Sequence, residues 1–592
     1  MISLNLKTVS VKTNVTSPPS QSLVPRYPRP SIATLPFSSD GKATLTSVPR
    51  HRSRILAAEV QELETSEIEI DDFSVGADAE ESGGEKHSIV FVASEVAPWS
   101  KTGGLADVMN SLPSSLSRRG HRVMVIAPRY GQYEDAVDTG IKANIWLWGS
   151  THEVGFYHCY KNGVDFVFVD HPGSFLRMGT PYGDANGEFG DNQFRFTLLS
   201  YAALEAPLQI PLGGFPYGDE VVFVANDWHT ALIPTVLAAK YRSAGVYLGA
   251  RSVLAIHNLF HQGCFPPDTF NQLGLDGRWY NSMGWQFMER AHMACYSYGH
   301  AVNYMKAGLV NADRVVTVSP GYAYEIATPE GGWGMDGIIR ERQYVLNGIL
   351  NGIEPSEWSP QEDVHIAQNY DEDTFEEGKA ACKAALQESM GLPVRPEVPL
   401  IGFVGRLDDQ KGADLILGAM EWLASQDVQV VLLGTGRKDL EDGFKWAESS
   451  FRDKVRAYVG FNVAVSHQIT AGADLLMMPS RFEPCGLNQL YAMAYGTPVI
   501  AHETGGLKDT VLDVAYHDSI GSRAGTGWTF QNADVAGLKH ALGMALHCFW
   551  NDKERFRDVQ LTAMRRDSTW ETAAANYEQI FAWAKIDLPV TG

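Results

Sequence analysis

The chain contains no uninterrupted run of 18 apolar residues, so no segment of it reads as a membrane-spanning helix. Its six cysteines, at 159, 264, 295, 382, 485 and 548, include no closely spaced pair. That excludes a zinc knuckle or a CxxC redox centre and leaves reduced, mostly buried thiols as their plainest reading. No HExxH helix motif and no GxSxG nucleophile elbow occurs. GTGRKD (434–439) stops short of the dinucleotide fingerprint GxGxxG. Basic side chains are the minority, 48 against 70 acidic ones, for a net charge of −22. A general nucleic-acid binder needs a basic face, so this balance speaks against one and for a neutral or small anionic ligand held at a local site.

What the chain does have is 592 residues, 44% of them hydrophobic, enough for two large cored domains with extensions. Acidic residues are nearly missing from the start, where Asp40 alone precedes Glu59. Arg26, Arg29, Arg50, Arg52 and Arg54 lie there among many Ser, Thr and Pro residues. Residues 1–56 therefore read as an organelle transit peptide, plastid rather than mitochondrial because no amphipathic Arg-rich helix is apparent. The segment 57–86 is the reverse, with eleven Asp/Glu against one Lys over 59–86. Like charges repel and extend such a stretch, and it reads as a disordered linker.

From His87 on, apolar β-branched runs alternate with helical patterns. SIVFVAS (88–94) precedes a helix whose Leu105, Val108, Leu112 and Leu116 share one face. Gly120 suits the end of that helix, and RVMVIAP (122–128) is the next strand. VDFVFVD (164–170), VVFVAND (221–227), SVLAIHN (252–258) and RVVTVS (314–319) continue the pattern. It restarts with PLIGFVGR (399–406), VQVVLLGTG (428–436), ADLLMMPS (473–480) and TPVIAHETGG (497–506), with a helix over 487–496. Alternation of this kind predicts two doubly wound α/β halves, joined by a hinge at NGIEPSEWSP (351–360).

One segment echoes between the halves: KTGGLADV (101–108) and ETGGLKDTV (503–511) both follow a strand and open a helix. Ligands of doubly wound sheets sit at the carboxyl ends of strands, and helix N-termini attract phosphate. The pair therefore suggests two lobes facing one anionic ligand, although Gly-Gly at a strand–helix turn also serves purely steric ends. Near the first-half strand ends stand Glu95, Asp107, Asp227, His229, His257 and His261. In the second half, Arg406 and Lys411 suit a diphosphate, or else pair with Asp408 or Asp409 at the surface. Pro484 is placed to begin a helix, so Glu483 reads either as a dipole-stabilising cap or as a group for sugar hydroxyls. Cys485 reads as a buried cleft-wall thiol rather than a nucleophile.

In order along the chain, KTGGLADV, FGDNQFRF, NDWHT, HNLFHQG, GRLDDQKG, SRFEPCGLNQLYAMAYG and TGGLKDT resemble the plant and algal starch synthases and bacterial glycogen synthases. The likeness runs from about Ile89 to the end, and the leader favours the starch synthase branch. FGDNQFRFTLLSYAALEAP and HPGSF look like its soluble class I, while EGGWGMDGIIRE and ANDWHTALIP lean to class II.

The resemblance implies an α/β fold of the GT-B type, two Rossmann-like doubly wound domains facing a cleft. The N-terminal catalytic domain would span 87–350 and the nucleotide-sugar-binding domain 351–565. A C-terminal helix within 566–592 would cross back to the first domain. It implies transfer of glucose from ADP-glucose to the non-reducing 4-hydroxyl of an α-1,4-glucan such as amylopectin or glycogen, with retention and without a metal or other cofactor. Lys101, Gly103 and Gly104 would meet the donor. Arg406 and Lys411 would hold the diphosphate, Thr504, Gly505 and Gly506 would cradle phosphate, and Glu483 would bind the glucose ring. His257 would face the anomeric centre with its backbone carbonyl, beside Asn258. Asp227 and Asp107 would line the glucose and acceptor side, supported by Glu95. Cys485, Gly486 and Leu487 belong to the same substrate-binding loop, and Phe461 would stack on adenine. Expected partners are the two substrates and a plastid starch-synthesis complex, with neither nucleic acid nor membrane.

Two departures stand out. Tyr491 occupies the place of the second glutamate that many related retaining enzymes carry, and Phe461 replaces a Tyr frequent in bacterial relatives. The rivals are a UDP-glucose enzyme of the same fold and a non-catalytic glucan-binding scaffold. A retaining glycosidase would need two close carboxylates and no basic diphosphate loop.

Overall fold

Each of the apolar runs named above forms a strand in a computed structural model that describes residues 85–184, 186–286 and 299–591. The expected leader (1–56) and all but the last residues of the acidic linker (57–86) lie outside the described residues. The first large sheet takes, in chain order, β1 (Ser88–Val92), β2 (Arg122–Pro128), β3 (Val137–Leu147), β4 (Ser150–Lys161), β5 (Val164–Asp170), β6 (Val222–Asn226), β7 (Arg251–Ile256), β8 (Arg314–Thr317) and β9 (Leu346–Gly348). Its spatial order is β9-β8-β7-β6-β1-β2-β5-β4-β3. The second takes β10 (Leu400–Val404), β11 (Gln429–Gly434), β12 (Val455–Val459), β13 (Leu475–Met478), β14 (Val499–His502) and β15 (Gly527–Phe530), in the order β12-β11-β10-β13-β14-β15.

The second sheet is wholly parallel and follows the 3-2-1-4-5-6 order of a dinucleotide-binding fold. The first departs from the parallel expectation at one edge, where β3 and β4 form an antiparallel hairpin. Its two-residue turn, Trp148–Gly149, has φ of +49° and +73°. Positive φ at both positions is the geometry of a type I′ turn, whose twist matches that of the strands. Turn-forming Asn-Gly or Asp-Gly is missing there, which is why the hairpin did not announce itself.

Five helices bear on the site: α1 (Gly104–Arg118), α2 (Pro320–Glu325), α3 (Asn488–Ala494), α4 (Gly505–Thr510) and α5 (Trp570–Ile586). On α1 the stripe Leu105, Val108, Leu112 and Leu116 is buried against Ile89, Phe91, Val123 and Val125 of the sheet. Gly120, two residues past its end, takes φ +94°, a left-handed conformation that glycine adopts without steric cost.

The last helix, α5, packs on this same first half. Trp570, Ala574, Tyr577 and Phe581 join the core beneath α1. Glu578 accepts from Arg119 at 2.7 Å and meets His121 at 2.8 Å, while Glu571 accepts from the Ser115 hydroxyl at 2.8 Å. The chain thus crosses between halves twice, and the crossings lie side by side: the Ile353 N–H donates to the Ser568 carbonyl at 2.7 Å. A Cβ on Gly352 would stand 2.5 Å from the Thr569 carbonyl carbon, so only glycine fits that contact. The first crossing docks on the second half through Trp358, sandwiched between His467 and Tyr491 with centroids 3.8 Å from each. The described residues form one compact unit.

Candidate functional site

Both sheets reverse direction of winding at one place, and there the loops beyond adjacent strands part to leave a crevice. In the first sheet this point lies between β1 and β6. In the second it lies between β10 and β13. Most motif residues fall on the loops that leave these strands and β7, while Phe461 follows β12 and Thr504–Gly506 follow β14.

Beyond β1, Glu95 is buried and its Oε2 accepts from the Thr102 N–H at 2.6 Å and the Thr102 hydroxyl at 2.9 Å. Burial pushes its pKa up to about 7 against the pull of those two donors. These bonds curl the loop so that exposed Gly103 and Gly104 open α1, which has no capping side chain. Lys101 reaches Asp107 on the first turn of α1 at 2.6 Å. Burial raises the Asp107 pKa while the Lys101 charge opposes it.

Beyond β6, Asp227 is buried and holds φ +56°. Its Oδ1 accepts the His257 N–H at 2.7 Å and the Asn258 N–H at 3.2 Å, and burial pushes its pKa up to about 7. In a trans peptide, N–H and C=O point opposite ways. The Asn258 N–H faces Asp227, so the His257 carbonyl is turned away from it. The Asn226 amide nitrogen donates to the Val92 and Val224 carbonyls, so its Oδ1 is the acceptor for His257 Nε2 at 2.9 Å. His257 is therefore the Nε2–H tautomer, and burial holds it neutral with a pKa near 4.

One side chain of this pocket, Tyr182, carried no signal in the sequence. Tyr182 hydrogen-bonds Ser94 at 2.9 Å, and its ring lies 5.0 Å from that of His229. His229 also packs on Trp228 at 4.1 Å. The Nδ1 of His229 is buried and unpartnered, and burial keeps the ring neutral. Only the fold brings residue 182 beside 229; sequence spacing had no means to pair them.

In the second half, Lys411 Nζ meets Glu483 Oε2 at 2.6 Å, and the Ser480 hydroxyl donates to the same oxygen at 3.0 Å. The loop beyond β10 thus meets the loop beyond β13 at the switch point. The capping alternative for Glu483 fails, because the helix after Pro484 begins only at Asn488. Arg406 is exposed and donates to Gln410 at 3.1 Å, with Asp408 3.5 Å away. Phe461 is 83% exposed, two residues past the end of β12. Cys485 is buried with its thiol pushed up to about 12, which removes it as a nucleophile at neutral pH. Gly486 has φ +71° and Leu487 precedes α3. Tyr491 stacks on Trp358, so its ring is engaged on the crossing segment. Thr504 and Gly505, expected to meet phosphate, donate to the Glu325 carboxylate at 3.0 and 2.7 Å, and the Gly506 N–H donates to the Glu483 carbonyl at 3.0 Å.

The two switch points face each other. A Cβ on Gly104 would touch Leu487 Cδ1 at 3.4 Å, Phe260 beyond β7 lies 6.4 Å from Phe482, and the Ser319 hydroxyl donates to the Pro484 carbonyl at 2.7 Å. Among the described residues, no group of three or more His, Cys, Asp or Glu side chains is disposed to hold a metal ion. Two nucleotide-type sheets, the first parallel but for its β3–β4 edge, thus oppose their ligand ends, with a Lys–Glu pair on one side and a neutral His with buried carboxylates on the other, the two-lobed architecture of the GT-B class.

The comparisons with known proteins narrow this class. A family model described as the starch synthase catalytic domain matches residues 88–341, and one described as glycosyl transferases group 1 matches residues 398–547. Soluble starch synthase 1, chloroplastic/amyloplastic, of Solanum tuberosum is 54% identical over 509 residues, which are 85% of this chain and 79% of that protein. Starch synthase 2 of Arabidopsis thaliana, also named chloroplastic/amyloplastic, is 47% identical over 513 residues, 85% of this chain and 62% of that one. The solved catalytic domain of starch synthase IV from Arabidopsis thaliana, bound to ADP and acarbose, superposes with a TM-score of 0.75 at 32% identity, covering 85% of this chain and all of that one. The chain belongs to the starch synthase family.

Proposed function

We propose that this protein elongates α-1,4-glucans in the plastid by transferring glucose from ADP-glucose to the non-reducing-end 4-hydroxyl, with retention of configuration and without a metal. The observation that carries the reading is the 2.6 Å Lys411–Glu483 pair at the switch point of the second sheet, set opposite the Asp227-held His257–Asn258 peptide of the first. The solved relative is bound to ADP and acarbose, which supports a nucleotide-sugar donor and a glucan acceptor as ligands of this chain.

In this reading the leaving diphosphate meets the exposed Arg406, the Lys411 ammonium and the uncapped start of α1. Preset positive charge where negative charge develops lowers the barrier, and two cations with helix N–H groups supply it without a metal. Lys411 answers to two partners: Glu483 while the site waits, and the diphosphate once it arrives. Glu483 holds the glucose hydroxyls. The His257 carbonyl, turned away from Asp227, presents its partial negative charge to the sugar carbon as that carbon becomes positive. A neutral imidazole adds no opposing charge. The Tyr182, His229 and Glu95 pocket, apolar-walled with hydrogen-bonding tips, suits the acceptor sugar.

Purified protein offered labelled ADP-glucose or UDP-glucose with glycogen and EDTA distinguishes the alternatives. Label in precipitated glucan from ADP-glucose is the expected result. Label from UDP-glucose alone, or glucan binding with no transfer from either donor, overturns the reading.

A further inference from the structure

The two TGG loops look alike in the sequence and are used differently in the fold. In the first, Thr102 spends its N–H and hydroxyl on Glu95 of its own loop, and the glycines that follow stay exposed at the uncapped start of α1. In the second, the carboxylate comes from the opposite lobe. Glu325 closes α2 and its Oε1 accepts from both the Thr504 hydroxyl (3.0 Å) and the Gly505 N–H (2.7 Å). At the other end of α4, Asp509 accepts the Gly321 N–H from the start of α2 at 2.7 Å. The two short helices are thus tied at both ends.

Behind this tie lies the sugar-side loop. The Gly506 N–H donates to the Glu483 carbonyl at 3.0 Å. A Cβ on Gly321 would fall 2.8 Å from the Gly505 carbonyl oxygen, one on Gly505 2.1 Å from the Glu483 carbonyl oxygen, and one on Gly506 2.0 Å from the Cys485 carbonyl oxygen. Backbone therefore touches backbone through three layers, α2, α4 and the 483–485 loop, and the glycines are there to permit that contact. A phosphate at this place would have to displace one carboxylate and sit beside it, with like charges repelling.

We propose that Glu325 is a positioning residue for glucosyl transfer: by clasping Thr504 and Gly505 across the lobes it fixes the loop that carries Glu483, and the second TGG holds no phosphate. The proposal rests on the transfer reading above. Its effect on the reaction runs through the placement of Glu483 against Lys411 and the sugar, since Glu325 itself touches the TGG backbone and hydroxyl.

The test measures kcat and KM with ADP-glucose and glycogen, ADP affinity by calorimetry, and thermal midpoint, for the full chain and for Glu325→Ala, Glu325→Gln and Thr504→Val. Glu325→Ala is expected to lower kcat at least fivefold at equal folded fraction while binding ADP no tighter. Glu325→Gln, whose amide oxygen still accepts, is expected to recover at least half of that loss on a logarithmic scale. Thr504→Val added to Glu325→Ala is expected to cost nothing further, because the contact it removes is already gone. A kcat drop smaller than fivefold, no recovery by Gln, or ADP bound more than threefold tighter once the carboxylate is removed would each overturn the clasp. If Glu325→Ala does not fold, Thr504→Val alone carries the test, with a drop in kcat of less than twofold as the overturning result. An unmodified chain that transfers no glucose sinks the functional reading, whereas an active one beside an equally active Glu325→Ala sinks the clasp alone.

Discussion

Asp227→Asn separates the cost of burying a charge from the use made of it. The Asp227 carboxyl is buried, accepts two backbone N–H groups and lies near Glu95. Burial first, and Glu95 in the same direction, raise its pKa from the ordinary 3.8 to about 7. A carboxyl that binds its proton more tightly in the folded state stabilises the fold where it is protonated. That contribution is complete below about pH 4 and is lost as pH rises to about 7. Three pH units at roughly 1.4 kcal/mol each put the loss at about 4 kcal/mol as an upper figure. Asparagine tolerates φ +56° as aspartate does and keeps an oxygen for the two N–H groups. It carries no charge to desolvate and none to repel Glu95. The variant should therefore gain on the parent as pH rises from 5 to 8. At roughly 2–4 °C per kcal/mol for a large domain, the difference in thermal midpoint should open by several degrees. Transfer activity should fall at least tenfold relative to the parent at pH 8, where the parent carboxylate is charged and holds the His257–Asn258 peptide, and the gap should narrow toward pH 5, where the parent carboxyl is itself protonated. Thermal melts of both proteins from pH 5 to 8 check this. A midpoint difference that stays flat, or that turns against the variant as pH rises, refutes the reasoning.

Other replacements probe separate parts of the account. Gly103 has φ −157° and open space where a Cβ would go, so Gly103→Ala should leave the thermal midpoint within about 1 °C of the parent. Donor KM should nevertheless rise tenfold or more if phosphate approaches that backbone, and an unchanged KM would remove the first TGG from the donor site. Trp358→Ala empties the sandwich between His467 and Tyr491. A loss of about 3 kcal/mol, low for a tryptophan because the ring is part-exposed, should appear in denaturant melts of the second half. Gly506→Ala drives a Cβ to 2.0 Å from the Cys485 carbonyl oxygen and should abolish activity in whatever fraction of the protein folds, read as specific activity after gel filtration.

The two halves were legible because hydrophobic runs and turn glycines are local signals. The stripe on α1, the strand runs and the return of the last helix all appear where the pattern or the resemblance placed them. The β3–β4 hairpin was not legible, since its turn uses Trp148 in a left-handed conformation instead of the usual Asn or Asp. The switch points could be reached from the sequence because their residues follow strands directly: Glu95 after β1, Asp227 after β6, Lys411 after β10 and Glu483 after β13. Tyr182 and the orphaned nitrogen of His229 were hidden because partners 47 positions apart leave no spacing to read. The TGG echo does not by itself say what each loop meets. Glycines that admit a ligand and glycines that admit another backbone look the same in a sequence, and only the arrival of Glu325 from the opposite lobe tells them apart.

The central claim is that the opposed switch points transfer glucose with Lys411 facing the leaving diphosphate. Its most direct measurement is label passed from ADP-glucose into glycogen in EDTA, by the protein and by Lys411→Ala, followed by β-amylase digestion of the product. The account predicts label released as maltose from non-reducing α-1,4 ends, with the variant slower by 10²-fold or more, as expected when a preset charge is removed from a developing anion. Equal rates for the two proteins, or ADP-glucose converted to free glucose with none in glucan, would contradict it.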